Sequence, residues 1–498
     1  MTKFTAVKST LALAAILALG ACSLTPNYQR PDAPVATDWP QAPVAAASAA
    51  DAAAVQATEL PWSTYFPDAR LQGLIRKSLE NNRDLRVAVL NIEQVRAQYQ
   101  VTRADQLPTL NASITGTRQP STIAPYPVTT VAQGGVTITA FELDLFGRLR
   151  ALSAAASAQL FATEEARKSA HISLVAAVAN TYYAIWADRW QLALAEQTLQ
   201  ARQGSMKLQQ LKFDNGVLNE LDLRSTQSVL EAARISRAQA QRQLAQDTNA
   251  LNLLLGETAP ADLLPPAPVL PTASAMEDPQ AVSALVRDAL WPGLSELPVG
   301  LPSEALLKRP DIAQAEQQLI SANANIGAAR ANMFPRISLT ASAGVVSDSL
   351  SGLFSDGRSA WSFSPGVVLP IFDMGRNIAL VDSAKVKRDI AVAQYEKALQ
   401  SAFREVADAL VARSSFADQA QAQQNQTDAE AARLRLATLR YSSGVASQLD
   451  LLDAQRSLFA SQQALISAQL ARQQAHITLY KALGGGWTPP PEQQSSVR

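Results

Sequence analysis

Hydrophobic positions change period along this chain in a fixed order, and they do so twice. From Asp84 a helical pattern runs to Pro108, and from Asp311 a second one runs to Pro335. A helix interior would not tolerate a proline, so each helix is expected to end at that residue. Strict alternation follows. Leu110, Ala112 and Ile114 oppose Asn111, Ser113 and Thr115, and Ile337, Leu339 and Ala341 oppose Ser338, Thr340 and Ser342. Period two with one apolar face predicts a half-buried strand. A polar loop leads in each case to a second alternating segment, near 134–144 and near 361–371. The next stretches, Arg148 to Phe213 and Arg376 to Tyr441, hold no proline over 66 residues each. As helices they would each reach about 99 Å at 1.5 Å per residue. Apolar residues recur at seven near their ends (Leu192, Leu199, Met206, Phe213) and on the return helices (Leu223, Leu230, Leu244, Leu251), where Arg237 interrupts. Leu451-Leu452, Leu458-Phe459 and Leu465-Ile466 keep the same spacing. A sustained heptad predicts helices packed side by side as coiled coils. Asn215-Gly216 and Ser443-Gly444 mark the reversals.

This order is an internal repeat. The segment from Asp84 matches that from Asp311 at an offset of 227 residues. FGRLR at Phe146 matches MGRNI at Met374, FDNGVLNELDL (213–223) matches YSSGVASQLDL (441–451), and Leu255-Gly256 matches Leu483-Gly484, all at 228. Four blocks in the same order at a near-constant offset imply two large structural halves. The expected division is a signal peptide at 1–21, an N-terminal segment at 22–69, a first repeat at 70–256, a Pro-rich connection at 257–302, a second repeat at 303–484 and a tail at 485–498.

Composition narrows the function. Lys plus Arg and Asp plus Glu both number 43, so the net charge is zero and nothing favours nucleic acid. Charged residues are 17% and apolar ones 47%, much of it alanine, which suits closely packed helices. One cysteine excludes a disulfide framework and a cysteine-based zinc site. His171 and His476 stand far apart on predicted helices, and a structural role is expected for both. Glu164-Glu165 reads as a solvated helix face, and the five methionines are scattered. No glycine-rich phosphate loop follows a strand, so no cofactor and no catalytic set is expected.

The single cysteine is informative by its place. Lys3 and Lys8 precede an apolar run from Leu11 to Leu19, which ends in Leu19-Gly20-Ala21-Cys22. Nine apolar residues suit a signal-peptide core and cannot span a bilayer. The ending resembles the bacterial lipobox, which implies acylation of Cys22, and Ser23 resembles the outer-membrane sorting pattern. Four strands of about ten residues can cross a bilayer but cannot close a barrel alone, and an open sheet cannot face lipid. If these strands enter the membrane, several chains share one barrel, and three chains would supply twelve strands.

The chain resembles the TolC-like outer-membrane efflux proteins, in the lipoprotein branch that serves resistance-nodulation-division pumps. The resemblance rests on the Cys22 lipobox, NYQRPDAP after it, FELDLFGR (141–148), LPIFDMGR (369–376), RYSSGVASQLDLLDAQRSLFASQQALISAQL (440–470) and LYKALGGGW (479–487). It implies a mainly α fold with a membrane β-barrel: a homotrimer with a shared 12-stranded barrel, continued by a long α-helical barrel. It also implies an equatorial belt from the Pro-rich segment, the segment after Cys22 and the tail. The activity implied is a passive exit duct for substrates delivered by an inner-membrane pump through a periplasmic adaptor. Leu449 and Asp453 match the family's apolar and acidic rings at the closed periplasmic entrance. The repeat places Leu221 and Ser225 opposite them, so only the second half would carry the acid. Gly216-Val217 and Gly444-Val445 resemble the tip loops that meet the adaptor. Leu449, Asp450 and Asp453 also open the last helix, where acids favour the helix dipole, so capping alone could account for them. A type I secretion exit, or a lipid-anchored periplasmic scaffold without a pore, would use many of the same elements.

Overall fold

The computed structural model describes residues 24–36, 39, 60–120, 122–268, 293–295, 297 and 303–487. Cys22, the signal sequence and most of 269–302 and 488–498 lie outside the described residues. After a helical turn at Trp62–Tyr65, the elements are α1 (Ala69–Asn81), α2 (Arg83–Ala104), β1 (Leu110–Pro120), β2 (Val128–Leu143), α3 (Arg148–Asp214) and α4 (Glu220–Leu255). A short 3-10 helix, Ser303–Lys308, precedes α5 (Pro310–Ala331), β3 (Arg336–Ser347), β4 (Arg358–Val368), α6 (Arg376–Ser442) and α7 (Gln448–Ala482). The described elements therefore run through helix, strand, strand, long helix and return helix twice. Among the described residues no helix is long and apolar enough to cross a membrane.

Two compact units divide the chain. One comprises 1–33, 89–166 and 311–398, and the other 34–88, 167–310 and 399–498. The first holds a four-stranded antiparallel sheet in the order β1-β2-β3-β4. Its inner strands belong to different repeats, and Ile138 lies opposite Ala341. β1 and β4 are edges, with one side of each unpaired among the described strands. The alternation predicted half-buried strands, yet β1 exposes every residue within this chain. Nothing in the described chain covers the apolar face of Leu110 and Ile114.

The strand limits also differ from expectation. β2 starts at Val128, because Val128 to Gln133 continue the ladder against Pro120 to Thr115. It carries a register shift between Ile138 and Phe141, where Ala140 has a positive φ of 50°. β4 ends at Val368, opposite the first residue of β3. Pro370, two residues on, has no N–H to offer a ladder. The helices α2 and α5 stop at Ala104 and Ala331, each four residues short of its proline.

The second unit is helical. Its core gathers Tyr65, Phe66, Leu71, Leu74, Ile75, Tyr182, Tyr183 and Tyr480, all essentially solvent-free. The Tyr65 and Tyr480 rings stack at 3.9 Å. Their hydroxyls do not remain orphaned: Tyr65 donates to the His476 carbonyl at 2.9 Å and Tyr480 to the Leu60 carbonyl at 2.6 Å. The heptad pattern forms a packed seam between α3 and α4, where Leu199, Leu230 and Ala233 bury together against Met206. Leu452, Leu458, Leu465 and Ile466 are buried on α7 at the corresponding spacing. His171 is half-buried on α3 and meets Trp487 edge-on at 5.0 Å. Burial first, then Arg167, pushes its pKa down to about 4, so it is neutral near pH 7.

Candidate functional site: the two hairpin tips

Both helical hairpins of the second unit turn by the same device. Gly216 and Gly444 adopt φ of 71° and 72°, a left-handed conformation that side chains with a Cβ resist. Val217 N–H donates to the Lys212 carbonyl and Val445 N–H to the Arg440 carbonyl, both at 2.9 Å. With Gly216 N–H on the Phe213 carbonyl and Gly444 N–H on the Tyr441 carbonyl, each helix end closes as a Schellman motif. Val217 and Val445 are exposed at the turn.

The return helices are capped in parallel ways. Asn219 accepts from the Asp222 N–H at 2.9 Å, and Ser447 accepts from the Asp450 N–H at 3.2 Å. In the second tip the Asp450 carboxylate also accepts the Ser447 N–H, completing a capping box. The Ser447 hydroxyl, donating to the Asp450 carboxylate at 2.9 Å, and then the Ser447 N–H hold the Asp450 carboxyl below the usual carboxylate range. Capping in the second tip therefore belongs to Ser447 and Asp450.

Asp453, one turn on, does something else. Its Oδ2 accepts from Arg433 on α6 at 2.7 Å, and its Oδ1 accepts from Arg456 on α7 at 3.1 Å. Arg433 also reaches Glu430 at 3.2 Å and the Ser457 hydroxyl at 3.3 Å. The contact with Arg433, then that with Arg456, holds the Asp453 carboxyl below its ordinary range. Arg202, buried on α3, adds positive charge near Arg456, and burial pushes its own pKa down to about 10. Leu449 lies one turn before Asp453 with 63% of its surface exposed.

The first tip lacks this chemistry. Leu221 is 75% exposed at the position of Leu449. Ser225 turns its hydroxyl back onto the Leu221 carbonyl at 2.9 Å. The repeat offset of 228 places Ser205, Ser225 and Ser228 where the second half has Arg433, Asp453 and Arg456. One charged trio thus corresponds to three serines. Arg433 and Arg456 escaped the residue-by-residue reading of the sequence, but the repeat offset was a signal that could have found them.

The two tips lie in one unit and meet laterally. Gln209 on α3 donates to Gln448 at the start of α7 at 3.1 Å, in a buried position. The Lys212 ammonium lies 6.0 Å from the centre of the Tyr441 ring. No described group of three or more His, Cys, Asp or Glu side chains could hold a metal ion.

Residues 74–257 and 301–485 match the family described as Outer membrane efflux protein. The chain belongs to the outer membrane efflux protein family. It is 45% identical over 502 residues to the probable efflux pump outer membrane protein TtgC of Pseudomonas putida, covering 98% of this chain and 99% of that protein. It is 42% identical to the outer membrane protein OprJ of Pseudomonas aeruginosa, with 96% and 95% covered. Among solved structures, a membrane protein from Pseudomonas aeruginosa superposes with a TM-score of 0.82 at 40% identity, covering 93% of this chain and all of the other. The open state of the MtrE outer membrane channel of Neisseria gonorrhoeae gives 0.80 at 39% identity, covering 93% of this chain and 98% of that one. These relatives are channels and efflux components, and the resemblance read from the sequence is the correct one. The chain is an exit channel of the efflux type.

Proposed function

We infer that the chain works as a homotrimer in the bacterial outer membrane, anchored by acylated Cys22, with a shared 12-stranded barrel and a helical conduit. Substrates would arrive from an inner-membrane pump of the resistance-nodulation-division type, through a periplasmic adaptor. The observation that carries the assembly is the open sheet: four strands leave two unpaired edges, β1 and β4. Unpaired backbone groups cannot face lipid, and closure among three copies removes every edge. The names of the relatives favour the same surroundings, since TtgC and its kin are called efflux pump outer membrane proteins.

At the periplasmic end, Leu449 from each copy would form an apolar constriction, with an Asp453 ring beside it. Three carboxylates near one axis favour cations. Arg433 and Arg456 offset their repulsion and tie each acid to its own chain. Leu221 and Ser225 would line the same entrance without charge. The exposed turns at Gly216-Val217 and Gly444-Val445 would receive the adaptor, whose binding would loosen the second hairpin. Substrate selection would then lie upstream, in the pump. Two measurements test the assembly. Native mass spectrometry in detergent should give a trimer bearing lipid on Cys22, and a folded monomer or an unmodified N-terminus elsewhere would contradict it. Heat-modifiable migration in the outer-membrane fraction separates this reading from a scaffold without a pore.

A further inference from the structure

The sheet of the first unit has two unlike faces, and one loop leans onto the apolar one. Directly opposed residues share a face. Ile114, Gly134, Val345 and Ser359 form one row across the four strands, and Ala112, Val136, Ala343 and Trp361 form the next row on that side. The opposite face carries Ser113, Thr115, Gln133 and Thr137. In a membrane barrel the apolar face turns to lipid and the polar face to the lumen. The loop between β3 and β4, residues 348–357, bends back over the apolar side. Leu353 is completely buried, and a methyl group at Gly134 would stand 2.9 Å from its Cδ2. A methyl group at Gly357 would run into the Leu353 carbonyl and lie 3.3 Å from the Val345 Cβ, so glycine there lets the loop close down on β3.

We propose that this loop is a foot set in the outer leaflet of the membrane: Leu353 pins it to the lipid-facing side of the sheet, and Leu350 and Phe354 enter the acyl chains. It rests on the reading of the sheet as part of a membrane barrel. Leu350 is 63% and Phe354 80% exposed. The loop supplies its own turns, with the Leu353 N–H toward the Leu350 carbonyl at 3.4 Å and the Asp356 N–H on the Gly352 carbonyl at 2.9 Å. Residues three and four apart lie along one side of such a turn, so the exposed pair flanks the pinned leucine. Around them stand Asp348, Ser349, Ser351, Ser355 and Asp356. Apolar side chains set among polar ones in this way suit the boundary between headgroups and acyl chains.

The level also fits. Val345 stands nine residues along β3 from Arg336, which pairs with Glu142 at 3.3 Å at the opposite end of the strand. At about 3.4 Å per residue and a tilt of about 40°, that stretch climbs about 23 Å, close to the full height of an outward apolar band of about 25 Å. Trp361, on the neighbouring row of the same face, is 79% exposed, and tryptophan favours the membrane–water boundary.

A second copy is the rival cover for Leu350 and Phe354. The seat of Leu353 lies on β2 and β3, the inner strands, away from the edges β1 and β4 at which another copy would join. Lipid is therefore the occupant that the position favours. By leaning to this side the loop also keeps off the polar face, and so off the channel exit.

Quenching of a polarity-sensitive thiol probe tests the foot in the full-length trimer. The protein is placed in phosphatidylcholine nanodiscs, with or without bromine on the acyl chains, which leave both membrane faces open to iodide in solution. Labelling of the unaltered protein measures any contribution from Cys22. Brominated lipid should quench a probe at Phe354→Cys about as strongly as one at Val136→Cys on the lipid-facing side. Iodide should quench it severalfold less than a probe at Asn215→Cys on the exposed hairpin turn. Adding Gly134→Val, which fills the seat of Leu353, should reverse both results at position 354; if that variant is not trimeric by native mass spectrometry, Leu353→Ser serves instead. A Phe354→Cys probe open to iodide and untouched by bromine, while Val136→Cys is quenched by bromine, overturns the foot and leaves the barrel standing. A probe at 354 that neither quencher reaches is covered by protein and overturns it equally. Bromine quenching at 354 that survives both seat variants overturns the pinning by Leu353. A Val136→Cys probe that bromine does not quench overturns the barrel reading and the foot together.

Discussion

The two hairpin tips share a backbone and differ in charge. Both end a 67-residue helix on a left-handed glycine, both cap the return helix with a short polar side chain, and both expose a leucine one turn in. Only the second then places Asp453 between Arg433 and Arg456, where the first has serines. The turn chemistry is what a helical hairpin needs to reverse, so it recurs in both halves. The charged trio is not needed for reversal, since the first hairpin reverses without it. Its presence in one tip alone separates a feature of folding from a candidate feature of gating.

The largest expected effect should not distinguish the tips at all. Leu230 and Leu458 are counterparts on α4 and α7, and both are buried. Replacing either by Ala should cost about 2–5 kcal/mol by leaving a cavity in the seam. Denaturant unfolding of the detergent-solubilised protein should show similar losses for the two. A loss confined to Leu458→Ala would mean that the second hairpin is packed by a different principle.

Ion selectivity should separate the tips. Asp453→Ala should lower cation preference, measured as the reversal potential across a salt gradient in planar bilayers, and Ser225→Ala should leave it unchanged. The Arg433 and Arg456 contacts favour the ionised form of Asp453, so its folded pKa lies below the unfolded value of about 3.9. Such a group contributes while the pH is above that range and loses its contribution as pH falls through the folded pKa. Cation preference should therefore hold from pH 7 to pH 5 and decline only below the ordinary carboxylate range. A decline centred near pH 6 would assign the selectivity to another group.

Caps should bring the tips together again. Asn219→Ala and Ser447→Ala should each weaken their hairpins by about 1 kcal/mol, read by local hydrogen exchange at the helix starts. Unequal effects are expected only to the extent that the reciprocal contact from Asp450 strengthens the second cap.

Much of this architecture was legible because its signals are local. The absence of proline and the placement of Gly216 and Gly444 located the long helices to within a residue of their ends. The lateral partners were not local. Arg433 meets Asp453 across a hairpin, 20 residues away, and Phe146 stacks on Phe334 from the other repeat. The bulge near Ala140 and the early start of β2 depend on what the neighbouring strands offer. The exposure of β1 was illegible for another reason. Alternation reports that a strand has an apolar face, and it does not report whether the cover comes from the same chain.

The central claim is that the second tip restricts the periplasmic entrance, and single-channel conductance tests it most directly. In planar bilayers, Leu449→Ala with Asp453→Ala should raise conductance severalfold over the unaltered trimer. The matched pair, Leu221→Ala with Ser225→Ala, should raise it far less. If the Leu449/Asp453 variant, trimeric by native mass spectrometry, keeps both the conductance and the ion selectivity of the unaltered protein, these residues do not line the entrance and the account is contradicted.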